Sequence, residues 1–66
     1  MKSKLTGEEI KNKRIKLGLT QEQLAVEVGV TSATVSRWER NKYTPHPLIA
    51  RHVLEFFDTN LRTSTN

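Results

Sequence analysis

GLTQEQLAVEVGVTSATVSRWER, residues 18–40, holds two short amphipathic segments, each opened by a threonine and parted by a single glycine. Thr20 stands three residues before Gln23. This is the capping-box spacing, in which the hydroxyl and the amide side chain satisfy backbone N–H groups that a helix start leaves free. Leu24, Ala25 and Val28 then share a helical face, and Gly29 stops the helix after about two turns. Only Val30 intervenes before Thr31, which caps the next helix. There Val35 and Trp38 share a face at i, i+3, while Ser32, Ala33, Ser36 and Arg37 point elsewhere. Asn41 suits the left-handed conformation that a helix end favours.

Upstream, Thr6 and Glu9 repeat the capping-box spacing. Glu8 and Glu9 suit the positive end of the helix dipole, and Lys13, Arg14 and Lys16 the negative end. Ile10, Arg14 and Leu17 line one face, and Gly18 closes the helix. Downstream, TPHP (44–47) cannot continue a helix, and Pro47 starts another. Ile49, Val53, Phe56 and Phe57 recur at helical spacing over residues 47–58. Adjacent phenylalanines point roughly 100° apart on a helix, so one is expected in the core and the other is left for a partner subunit. The expected fold is all-α: a bundle of four helices, five at most, with a helix-turn-helix made by the second and third. Residues 6–58 form the domain, 1–5 a basic N-terminal arm, and 59–66 a polar tail expected to fray.

At 66 residues and 7.6 kDa the chain is near the lower limit for a single hydrophobic core. Cysteine is absent, which rules out disulfides and thiolate metal sites and suits a reducing cytoplasm. No apolar run approaches the roughly 18 residues that cross a bilayer, and no signal-peptide core follows Met1. The net charge of +4 is unevenly placed. Residues 1–42 hold nine Lys and Arg against five Asp and Glu, and residues 43–66 hold two against two. A basic part beside a neutral one points to a polyanionic partner. There is no Gly-rich phosphate loop and no nucleophile beside a base, and the few carboxylates sit at helix starts or opposite basic residues. No enzyme activity, cofactor, metal or small-molecule ligand is therefore expected. His46 and His52 lack partners at ligand spacing and read as surface residues.

Two helices joined by a tight glycine-containing turn make a helix-turn-helix, whose second helix enters the major groove of DNA. Close crossing needs a small residue, which Ala25 supplies. The turn needs positive φ, which Gly29 supplies. Val35 and Trp38 anchor the second helix from behind, so Trp38 reads as core and not as a base-stacking residue. The outward positions are small or polar, where a helix built only for packing more often carries Leu, Glu and Lys.

Residues 10–42, IKNKRIKLGLTQEQLAVEVGVTSATVSRWERNK, resemble the DNA-binding domain of the lambda-repressor/Cro (XRE) family, and lambdoid phage repressors especially. The R-x-x-x-G-L-T-Q entry, the A-x-x-x-G turn and the S-R-W-E-R-x-K exit carry the resemblance. It implies a bacterial or phage transcriptional regulator, most often a repressor. Such a protein binds double-stranded DNA as a homodimer on a partial palindrome and reads the groove with residues 32–40. Carried over by position, Ser32, Ala33, Ser36 and Arg37 would face base edges. Gln21, Thr31, Thr34, Arg40, Asn41, Lys42 and Tyr43 would contact the DNA backbone. Arg14 and Glu39 would form a structural ion pair. Asn41 stands where the family usually has glycine, and the chain lacks the pattern of a fifth, dimerising helix after Leu61. The same fold also serves antitoxin-like and other protein-interaction modules, which would be expected to expose apolar or acidic residues at 32, 33, 36 and 37.

Overall fold

Three threonines start the first three helices of the computed structural model, which describes residues 5–63. Helices α1 (Gly7–Lys16), α2 (Gln21–Val28), α3 (Ser32–Glu39) and α4 (Pro47–Thr63) follow in order, with no strand among the described residues. The fold is all-α. Thr6 Oγ1 accepts from the Glu9 N–H at 3.2 Å while Glu9 Oε1 accepts from the Thr6 N–H at 3.2 Å. Thr20 and Gln23 make the same reciprocal pair at 3.0 and 2.9 Å. At α3 the third residue is a threonine. Thr31 Oγ1 accepts from the Thr34 N–H at 3.2 Å and also hydrogen-bonds the Thr34 hydroxyl at 2.9 Å.

Each cap is flanked by an apolar pair at the hydrophobic-staple positions, one residue before the cap and four after it. The pairs are Leu5 and Ile10, Leu19 and Leu24, Val30 and Val35, and all six lie in the core or pack against it. One local arrangement (apolar, Thr, two residues, a capping side chain, apolar) thus begins three helices and aims each of them inward. It also corrects the expected arm. Leu5 is buried at 4% exposure because it is the outer half of a staple, so it belongs to the core and not to an arm. The rest of the predicted arm, 1–4, lies outside the described residues.

The helix ends are equally uniform. Gly18, Gly29 and Asn41 take φ of 73°, 79° and 61°. The N–H of the next residue folds back in each case: Leu19 to the Arg14 carbonyl at 3.1 Å, Val30 to Ala25 at 2.9 Å, and Lys42 to Arg37 at 2.9 Å. This six-to-one bond is the mark of the Schellman motif. The fourth helix starts differently. His46 caps it, its carbonyl accepting from the Ala50 N–H at 2.7 Å and its Nδ1 from the Leu48 N–H at 3.2 Å.

Helices α2 and α3 have eight residues each, too few to be stable alone, so their order comes from burial. Leu24, Ala25 and Val28 of α2 meet Val35 and Trp38 of α3, with Leu5, Ile10 of α1, and Val53 and Phe57 of α4 completing the core. Ala25 is buried in this cluster, 2% exposed. Phe57 is buried and Phe56 half-buried, their rings 5.8 Å apart and tilted by 52°. The helix expected over 47–58 runs on to Thr63, so residues 59–63 are helix and not frayed tail. The stripe Ile49, Val53, Phe57 continues by one more four-residue step to Leu61, which packs against the core. Asn60 supports the last turns by donating from Nδ2 to the Phe56 carbonyl at 2.7 Å. Residues 64–66 of the predicted tail lie outside the described residues.

Candidate nucleic-acid interface

The cap at Thr31 sets the direction of α3, and the outward face of that helix follows from its period. Ser32 and Ala33 are exposed on the first turn, Ser36 is half-buried one turn later, and Arg37 is exposed beside it. Thr31 is exposed and Thr34 half-buried, tied to each other through their hydroxyls. Unlike α1 and α2, α3 has no acidic residue in its first turn. A glutamate at the third position would complete a capping box, but it would also put a carboxylate on the outward face. Thr34 keeps the cap without the charge. Thr31→Ala is expected to lower stability by about 0.5–2 kcal/mol through loss of this cap, measured by urea unfolding. An unchanged midpoint would mean the hydroxyl does not cap α3.

The single carboxylate of α3 is withdrawn from the surface. Arg14 Nε donates to Glu39 Oε2 at 2.7 Å and Arg14 Nη2 to Glu39 Oε1 at 3.0 Å, and the two side chains are 12% and 4% exposed. This is the bidentate geometry in which arginine and carboxylate pair most strongly. Arg14 Nη1 donates to the Leu19 carbonyl at 2.8 Å, and Gln21 Nε2 donates to Glu39 Oε1 at 3.1 Å. One network therefore joins α1, the first residue of α2 and the last residue of α3. Gln21, assigned by resemblance to a DNA phosphate, is half-buried in this network. One of its amide N–H groups is committed to Glu39.

With Glu39 neutralised by Arg14, the exposed charges from α3 into the following loop are Arg37, Arg40 and Lys42, all positive. Asn41 and Tyr43 are exposed in the same loop, but each makes a contact the sequence does not announce. Asn41 Oδ1 accepts from the Gly7 N–H at 3.3 Å, fastening the start of α1 to the end of α3. The ring of Tyr43 lies 5.7 Å from the Arg37 guanidinium carbon. Gly7 itself escaped the sequence reading. A Cβ built there would stand 2.2 Å from the Trp38 carbonyl oxygen and 3.0 Å from that of Glu39, so α1 approaches the end of α3 as only glycine allows. The available signal was a glycine one residue inside a well-capped helix, where a good helix former would serve better.

The structure thus brings together Arg14, Gln21 and Glu39; Thr31 and Thr34; Arg37 and Tyr43; and Asn41 with Gly7. A shallow recess elsewhere, lined by Leu17, Leu19, Glu27, Phe56 and Asn60, includes no residue of α3. Among the described residues no helix is long and apolar enough to cross a membrane.

Comparison with known proteins bears on the family of the chain. A family model described as helix-turn-helix matches residues 10–63. The chain is 43% identical over 44 residues to an uncharacterized HTH-type transcriptional regulator of Methanothermobacter thermautotrophicus, covering 67% of this chain and 64% of that protein. It is 36% identical over 52 residues to an uncharacterized HTH-type transcriptional regulator of Archaeoglobus fulgidus, covering 79% of this chain and 74% of that one. The chain therefore spans just under two thirds of the first relative's length and about three quarters of the second's.

Proposed function

Because the chain belongs to the helix-turn-helix family, we propose that it is a transcriptional regulator that binds double-stranded DNA sequence-specifically, with α3 in the major groove. The observation that carries this reading is the electrostatic design of α3. Its outward residues are small, polar or basic, and its only carboxylate is retired into the pair with Arg14. A surface meant for an apolar or basic protein partner would not be built this way.

In this reading Ser32, Ala33, Ser36 and Arg37 face base edges. Arg37 is suited to bidentate donation to guanine O6 and N7, and Ala33 to contact with a thymine methyl. Thr31, Thr34, Arg40, Asn41, Lys42 and Tyr43 serve the DNA backbone. So does Gln21, with the amide N–H that Glu39 leaves over. The protein acts in the cytoplasm as a homodimeric repressor on a partial palindrome, with half-sites about one helical turn apart. The names of the two relatives, both transcriptional regulators, support the regulatory part.

Selection of bound sequences from randomised duplex DNA, followed by binding at two salt concentrations, tests it. A palindromic consensus with steep salt dependence is expected; the absence of any consensus would remove the sequence-reading role. No binding at all would favour the protein-interaction alternative. Arg37→Ala is expected to cost about 1–3 kcal/mol on the consensus and to relax preference at one base pair. Lys42→Ala should weaken all duplexes alike and reduce the salt slope by about one phosphate contact. Equal losses on specific and random DNA for Arg37→Ala would contradict its place at a base edge.

A further inference from the structure

The end of α3 does more than terminate a helix. Asn41, at φ 61°, reverses the chain so that the Arg37 carbonyl accepts from the Lys42 N–H at 2.9 Å and from the Tyr43 N–H at 3.4 Å. The backbone of Tyr43 is thereby tied to the residue whose side chain its ring then meets. The Arg37 guanidinium carbon stands over that ring, 5.7 Å from its centroid, within the range of a cation–π contact. Tyr43 remains 63% exposed, a large aromatic surface that contributes nothing to the core. Glu39, the one carboxylate of α3, is paired with Arg14 and stands two residues from Arg37, a spacing that does not bring helix side chains together.

An unrestrained arginine is a poor discriminator. Its long side chain loses about 2 kcal/mol of rotamer entropy when ordered, and a mobile fork can find guanine at more than one base step. A ring contact changes this without cost to recognition. The guanidinium meets an aromatic π-face electrostatically, which consumes none of its five N–H donors. Those donors stay available for a base edge.

We propose that Tyr43 is a positioning residue for sequence specificity: its ring holds the Arg37 guanidinium at one place along the groove and so narrows which base pair Arg37 reads. This rests on the DNA-reading proposal above and differs from a phosphate contact by the Tyr43 hydroxyl in what it demands of the side chain. For the choice of base pair the ring matters and the hydroxyl does not, whatever the hydroxyl adds at the DNA backbone.

The test compares Tyr43→Phe with Tyr43→Leu in the full chain. Both substitutions are at an exposed position, and circular dichroism and thermal unfolding confirm that each variant is folded. The readout is a ratio: affinity for the selected consensus against the same duplex altered at the base pair that Arg37→Ala relaxes. Tyr43→Leu is expected to lower that ratio about two- to fivefold, the change that an exposed cation–π contact of about 0.5–1 kcal/mol converts to. Tyr43→Phe should keep the wild-type ratio, whatever affinity it loses equally on every duplex. In the free protein the ring-current shift of the Arg37 side-chain protons should persist in Tyr43→Phe and vanish in Tyr43→Leu. Equal loss by both variants on all duplexes, with the ratio intact, would overturn the proposal and leave Tyr43 as a backbone contact alone. A wild-type ratio in Tyr43→Leu would overturn it while leaving sequence reading in place. A wild-type protein that selects no consensus would remove the reading and this proposal with it.

Discussion

Glu39→Ala is expected to destabilise the protein by about 3–5 kcal/mol at 25 °C. The carboxylate is 4% exposed and its partner Arg14 12%, so solvent screens the pair little. Removing one member of such a pair leaves the other charge buried without compensation, at a cost of about 3–5 kcal/mol. A chain of 66 residues has a total stability of roughly 3–10 kcal/mol at about 0.05–0.15 kcal/mol per residue. The loss therefore takes from about a third to all of it. Urea unfolding followed by the fluorescence of Trp38, which is buried beside Val35 in the core, measures the effect. A shift below about 1 kcal/mol would mean that the pair behaves like an exposed one.

The double substitution Arg14→Met with Glu39→Leu separates stability from function. Replacing both charges by apolar groups of similar size should restore much of the stability. DNA affinity should stay low, because Gln21 loses the Glu39 carboxylate that orients its amide at 3.1 Å. Full recovery of both would show that the network serves folding alone.

Gly7→Ala is the second large effect, and its sign is opposite to what helix propensity suggests. Alanine in place of glycine within a helix ordinarily gains about 1 kcal/mol. Here the added Cβ would stand 2.2 Å from the Trp38 carbonyl oxygen, 2.9 Å from Asn41 Oδ1 and 3.0 Å from the Glu39 carbonyl oxygen. Two of the three are backbone and cannot swing aside, so α1 and the end of α3 must part. The expected net loss is about 1–3 kcal/mol, as for other overpacked sites, together with weaker DNA binding because Arg37, Asn41 and Lys42 sit at that end. Gly18→Ala is the control. Nothing lies within 4 Å of its Cβ position, and only its φ of 73° opposes the change. A Gly7→Ala protein as stable as the wild type would show that the two helices do not approach so closely.

These two sites mark the boundary between what was legible in the sequence and what was not. The helix starts at Thr6, Thr20 and Thr31 and the ends at Gly18, Gly29 and Asn41 were legible because the bonds that make them span three to five residues. The outward placement of Ser32, Ala33, Ser36 and Arg37 followed from the period of α3. The extension of α4 was in principle legible too, since Leu61 continues the four-residue stripe, but its polar neighbours Thr59 and Asn60 masked it. Leu5 was missed for a related reason: its neighbours are basic, and only its place before the Thr6 cap reveals a staple.

Apart from the Arg14–Glu39 pair, which the family resemblance implied, the partners of the site were not legible. Gly7 meets Asn41 across 34 residues, Arg14 meets Glu39 across 25, and Gln21 meets Glu39 across 18. No local pattern encodes these distances, and Gln21 carries the same letter whether its amide faces solvent or a buried carboxylate. By itself the sequence determined where three helices begin and end, which faces they bury, and that α3 turns a small, polar and basic face outward. Capping, stapling and amphipathic period are all set within a turn or two of chain. Only the tertiary structure decided that the start of α1 locks onto the end of α3, that Gln21 joins the Arg14–Glu39 pair, and that Tyr43 lies beside Arg37. Those depend on the angles at which short helices cross, which the packing of the whole core selects.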